Sequence, residues 1–167
     1  MLTIISPAKS FDFDSEAKTQ SFSQPAFKED SFRLIKKMRT FSPKKLRELM
    51  DISPELATLN VERYKNWSME PLSQNAKQAI LAFSGEVYRG LNIKEMNEED
   101  LEFAQNHLRI LSGLYGVLKP LDLIQAHRLE MSTKLKYYSY NNLYQFWGYK
   151  ITKQINTALD DSNTLIT

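Results

Sequence analysis

Lys9 stands just after a short apolar run, Met1 to Ile5, in the segment Ser6-Pro7-Ala8-Lys9-Ser10. In α/β proteins the loops at the carboxyl ends of strands are where ligands bind. A lysine placed there contacts a phosphate, or acts as a base if it is buried. Tyr115 and Arg128 are the polar groups that would join it, should their strand-end loops converge. Together the three would form a basic pocket suited to one phosphate or carboxylate, that is, to a small anionic ligand. The plainer reading of Lys9 is a solvent-facing loop lysine.

A second kind of chemistry lies in the distribution of charge. Lys and Arg number 22 against 20 Asp and Glu, a net charge of +2. That balance excludes a histone-like protein, so charge matters only where it is locally arranged. Residues 36–47 hold six bases (Lys36, Lys37, Arg39, Lys44, Lys45 and Arg47) and no acid. Residues 95–102 hold Glu95, Glu98, Glu99, Asp100 and Glu102 and no base. A basic cluster across two helices neutralises several phosphates and releases their counterions. It reads otherwise as a solvated helix face.

The stretch from Leu101 to Met131 adds a third feature. A helix, then Ser112-Gly113-Leu114-Tyr115-Gly116, then Lys119-Pro120 resembles a helix-hairpin-helix element. In such an element small glycines let backbone amides approach a phosphate. Arg109, Lys119 and Arg128 flank it. The candidate phosphate-contacting residues are therefore Lys36, Lys37, Lys44, Lys45, Arg109, Gly113, Gly116 and Lys119. An ordinary glycine-containing turn is the competing reading.

Other chemistries are excluded. The chain has no cysteine, which removes disulfide scaffolds, thiolate metal sites and thiol peroxidases. His107 and His127 lack a Glu three positions before them, and Asp12, Asp14 and Glu16 lack the glycine of a calcium loop. Gly85 and Gly90 have phosphate-loop spacing, but Leu91-Asn92 follow where Lys-Ser/Thr is needed. No metal and no cofactor is expected. No apolar run approaches the ~20 residues of a membrane span, and no basic leader is visible, so a soluble cytoplasmic protein is expected.

The elements that must position these residues are legible in part. Met1–Ile5 reads as a buried strand, residues 10–27 as a loop, and Asp30–Thr40 as a helix in which Phe32, Ile35 and Met38 recur at helical spacing. Ser42-Pro43 and Ser53-Pro54 each place a hydroxyl at an N-cap and a proline in the first turn. Leu56, Leu59, Tyr64 and Trp67 form the stripe of the second of these helices. A further helix is predicted over Asn75–Phe83, with a turn at Gly85. Asn97 and Asp100 imitate a capping box, and the helix they open runs to Leu111 or ends near His107, leaving 108–113 as a strand. Leu143–Leu159 reads as one helix, Asp160–Asn163 as a turn and Thr164–Thr167 as a strand.

Several segments together resemble the YaaA family of bacterial peroxide-stress-resistance proteins. They are Ile4-Ile5-Ser6-Pro7-Ala8-Lys9, Ala82-Phe83-Ser84-Gly85-Glu86-Val87-Tyr88-Arg89-Gly90-Leu91 and Leu111-Ser112-Gly113-Leu114-Tyr115-Gly116. They continue through Pro120-Leu121-Asp122, Arg128-Leu129-Glu130-Met131 and Leu143-Tyr144-Gln145-Phe146-Trp147-Gly148. The resemblance implies a cytoplasmic protein that protects against hydrogen peroxide, is linked to low unincorporated iron, and binds DNA. It implies no established reaction, so no catalytic role is inherited. Ala126-His127 stands where the family usually has Pro-Tyr, and Ser132 replaces a usual Gly. Members of the family run on beyond the final strand, so the chain is expected to be an amino-terminal fragment of one domain.

The expected fold is α/β, a central mixed sheet surrounded by many helices, with the helix-hairpin-helix-like element near 98–130. The leading function is peroxide-stress protection through DNA association. An enzyme acting on a nucleotide-like or phosphorylated small molecule at Lys9, Tyr115 and Arg128 is the alternative. An interaction protein of iron homeostasis is the third.

Overall fold

The computed structural model of the chain describes residues 1–71, 75–159 and 164–167. β1 (Leu2–Ile5) forms where the β-branched apolar run predicts it, and β2 (Ser10–Phe11) follows in an otherwise irregular loop. α1 (Lys28–Met38) turns Leu34, Ile35 and Met38 inward. α2 (Pro43–Met50) and α3 (Pro54–Asn66) begin at the two Ser-Pro pairs. Ser42 Oγ accepts from Lys45 N at 3.3 Å and Ser53 Oγ from Leu56 N at 3.2 Å. The inward face of α3 is Ala57, Asn60 and Tyr64, while Leu56 and Leu59 are exposed. Ala57 is fully buried, and a side chain that small lets α2 and α3 pack closely.

The helix expected over Asn75–Phe83 is broken into three pieces: β3 (Lys77–Gln78), α4 (Ala79–Ala82) and β4 (Phe83–Ser84). Long-range pairing overrides helical spacing here, because β4 pairs antiparallel with β2 and β3 with β7 (Leu123–Ile124). α5 (Glu86–Gly90) starts at Gly85, and α6 (Glu98–His107) carries the capping box. Asp100 N donates to Asn97 Oδ1 and Asn97 N to Asp100 Oδ2, each at 2.9 Å.

The segment 98–130 is not a helix-hairpin-helix. α6 ends at His107, and β5 (Leu108–Ser112), a tight turn and β6 (Gly116–Leu118) form an antiparallel hairpin. β5 is buried along almost its whole length, Arg109 and Ser112 included, which suits an interior strand with β1 as its other neighbour. The single helix expected over Leu143–Leu159 divides into α7 (Leu143–Trp147) and α8 (Lys150–Ala158). Gly148 makes the break at φ +48°, a conformation that glycine adopts without steric penalty. The turn expected at 160–163 lies outside the described residues.

β8 (Leu165–Ile166) completes a four-stranded sheet of order β6-β5-β1-β8. β1 runs parallel to β5 and β8, and only β6 is antiparallel, so the sheet is mixed. The largest apolar cluster joins Leu34, Ile35, Met38, Tyr64, Trp67, Ile110, Leu114 and Trp147. Leu101 and Ala104 of α6 pack with Leu108 and Ile80, and Ile155 of α8 packs with Leu2 and Val117. Helices thus enclose the sheet, and the carboxyl ends of β1 and β5 open together towards one edge.

Candidate functional site

At that edge lies a cleft of about 290 Å³ between the 7–9 loop, the end of β5 and the segment 127–132. Tyr88 Oη donates to Ser6 O at 2.9 Å and holds the start of the loop. The opposite wall is irregular backbone fixed by side chains from elsewhere. Gln125 N and Trp67 Nε1 both donate to Tyr115 Oη, at 3.1 and 2.9 Å. Gln125 also exchanges two hydrogen bonds with the backbone of Ser68, and Tyr64 Oη donates to Arg128 O. Gly113 lies so close to this wall that a Cβ would sit 2.2 Å from Leu129 O. Only glycine fits there.

Two of the three residues expected in a pocket meet at this cleft. Lys9 Nζ lies 3.6 Å from Glu130 Oε2, and Arg128 Nη2 lies 3.0 Å from Glu130 Oε1. One carboxylate therefore bridges both cations. Tyr115 is not a cleft group. It is fully buried, its phenol is pushed up to about 12 by burial, and it reaches the cleft only through the ring of His127, 5.2 Å away. Its role here is to hold the wall.

Two further residues line the cleft that residue type alone does not single out, His127 and Glu130. Arg128 and Glu130 stand two apart in sequence, both line the cleft, and their opposite charges at that spacing are the signal for the pair. His127 is buried between Phe11 and Tyr115, and burial pushes its imidazole down to about 4. Its Nδ1 lies 2.8 Å from Gln125 O. Its signal was the departure from the usual Tyr.

The candidate DNA contacts separate into two groups. Lys36 and Lys37 end α1, and Lys44 and Lys45 begin α2; Lys36, Lys44 and Lys45 are exposed and Lys37 half-buried. Lys36 Nζ stands 4.9 Å from the Phe32 ring centroid and Lys37 Nζ 5.3 Å from that of Phe41. Lys45 pairs with Glu48 at 3.5 Å. Arg39, beside them, is structural: it donates to Tyr64 O, Lys65 O and Trp67 O at the end of α3. Lys119 is exposed as well.

Arg109, Gly113 and Gly116 are not on a surface that a duplex reaches. Arg109 is 6% exposed and donates to Gln105 O and Leu108 O. Gly113 O accepts from Trp147 Nε1, and Gly116 packs under the same ring. The turn is buried because it forms a strand hairpin against α7, not a helix start.

Among the described residues no group of three or more His, Asp or Glu is placed to hold a metal ion, and no helix is long and apolar enough to cross a membrane. The sequence profile described as Peroxide stress protein YaaA matches residues 1–167. The chain belongs to the YaaA peroxide-stress family. A UPF0246 protein of Burkholderia lata and one of Burkholderia vietnamiensis are each 49% identical over 160 residues. A third, from Burkholderia multivorans, is 48% identical over 160 residues. Each match covers 96% of this chain and 62% of the relative, so the chain spans somewhat under two thirds of these proteins. Within the YaaA framework the cleft walls come from three of the segments that carried the resemblance, those ending at Lys9, at Gly116 and at Met131.

Proposed function

We propose that this YaaA-family protein limits the damage done by hydrogen peroxide and unincorporated iron by associating with double-stranded DNA in the cytoplasm. The observation that carries the reading is the junction of α1 and α2. There Lys36, Lys37, Lys44 and Lys45 crowd two consecutive helix ends, with no acid anywhere from 36 to 47. Lysines on flexible stems neutralise phosphates without reading base edges, so the association is independent of sequence. Lys119 extends the set; Arg109 and the buried glycines have no part in it.

The test is made in cells lacking the protein and challenged with hydrogen peroxide. The parent chain restores survival, whereas a variant with Lys36, Lys37, Lys44 and Lys45 all changed to Glu does not, and purified it binds every duplex weakly. Survival restored in full by that variant would overturn the proposal.

A further inference from the structure

The cleft at the strand ends holds polar groups whose partners are incomplete. Because Gln125 O can only accept, the contact at His127 Nδ1 fixes the ring proton on Nδ1 and leaves a lone pair on Nε2. Nε2 bonds to no described residue although the ring lines the cleft. The ring is held neutral by its burial between Phe11 and Tyr115. It therefore presents an open acceptor to the cleft.

Arg128 presents the converse. Glu130 takes a hydrogen bond from Nη2, and Arg128 Nε is buried with no partner among the described residues. A guanidinium edge binds an oxyanion best side-on, with two parallel N–H donors at once. Glu130 satisfies half of that edge. Lys9, 67% exposed, lies near the same carboxylate at ion-pair distance only. Two cations share one carboxylate, and a net positive charge remains.

We propose that this cleft is a binding site for a small organic oxyanion that carries an O–H or N–H donor beside its carboxylate or phosphate. The oxyanion takes Arg128 side-on through Nε and Nη2 and meets Lys9, in the place Glu130 now occupies. The neighbouring donor is accepted by His127 Nε2. Glu130 is a stand-in carboxylate that an incoming anion displaces. The site shares no residue with the lysines of α1 and α2, so it stands whether or not the protein binds DNA.

The probes are two pairs of small anions, each pair differing in the donor: glycolate against acetate, and dihydrogen phosphate against sulfate. Binding to the whole chain is followed by calorimetry and by the 15N resonance of His127 Nε2. Glycolate and dihydrogen phosphate are expected to bind about fivefold more tightly than their partners, one hydrogen bond's worth. Only they should move the Nε2 resonance. His127→Phe should equalise each pair, and Glu130→Gln should tighten all four by about threefold. The resonance is read on the unsubstituted protein, so the test survives a variant that fails to fold. A stronger response to glycolate than to phosphate would make the ligand a hydroxy carboxylate, and the reverse a phosphate ester. Equal binding within both pairs, an unmoved Nε2 resonance, or an unchanged affinity in Glu130→Gln would overturn the proposal.

Discussion

The cleft and the α1–α2 face both carry positive charge, yet they hold it by opposite means. In the cleft Arg128 is mostly buried, its backbone is anchored by Tyr64, and its neighbour His127 is fixed by a hydrogen bond to Gln125. On the helix face three of the four lysines are exposed, and among the described residues only Lys45 makes an ion pair, with Glu48. Fixed groups lose little entropy on meeting one small ligand, and so discriminate by geometry. Exposed lysines suit a long polyanion, where the number of neutralised phosphates matters more than their position. Burial, not charge, separates the two regions.

The comparison breaks most severely at Gly113. Gly113→Ala drives a methyl group into the backbone of Leu129 and Glu130. Overpacking against main chain that cannot yield should cost about 3 kcal/mol and open the cleft wall. A thermal melt reads the loss, and the lysine face should keep its duplex affinity well below the melting point. Tyr115→Phe comes next, since it leaves Trp67 Nε1 and Gln125 N without their acceptor. Two buried donors stripped of partners should cost about 2 kcal/mol in urea unfolding.

A smaller effect comes from pH. Burial raises the Asp122 carboxyl to about 6, so its contribution to stability is full below pH 4 and is lost as pH rises through 6. His127, lowered to about 4, does the reverse: its contribution is full above pH 6.5 and is lost as pH falls to 4. The two trends oppose each other, so the parent should vary little between pH 4 and 6. Across that window Asp122→Asn should gain stability as pH rises, and His127→Phe should lose it, each by roughly 2 kcal/mol. Urea midpoints at a series of pH values measure both slopes. Lys9→Ala should change stability least, by about 0.5 kcal/mol or less, because an exposed ion pair contributes little. It should still weaken the binding of small oxyanions.

What could be read from the sequence was local. The Ser42, Ser53 and Asn97 caps act within three residues of themselves, and the structure has all of them. The breaks at 75–83 and 98–130 could not be read in the same way. Lys77 pairs with Ile124 across the fold, and the hairpin after α6 depends on β1 lying beside β5. A two-residue strand has no period of its own. Lys77 shows the same for side chains: its ammonium is buried and donates to Asp12 O, Ser15 O and Ser15 Oγ, which nothing in its own neighbourhood announces. In the cleft, Lys9 and Arg128 were legible from residue type and from the carboxyl ends of strands. Glu130 and His127 were not, because a bridging carboxylate and a ring tautomer are properties of the assembled site.

As proposed, a polyanion and a small oxyanion are taken by different residues of this chain. Duplex affinity titrated against sodium chloride tests it most directly, in the parent, in a variant with Lys36, Lys37, Lys44 and Lys45 changed to Gln, and in Lys9→Ala. Plotted as the logarithm of affinity against the logarithm of salt, the slope should fall by about 3 to 4 in the fourfold variant, close to one for each lost phosphate contact. It should stay at the parent's value in Lys9→Ala. An unaltered slope in the fourfold variant, or an equal loss in Lys9→Ala, would contradict the account.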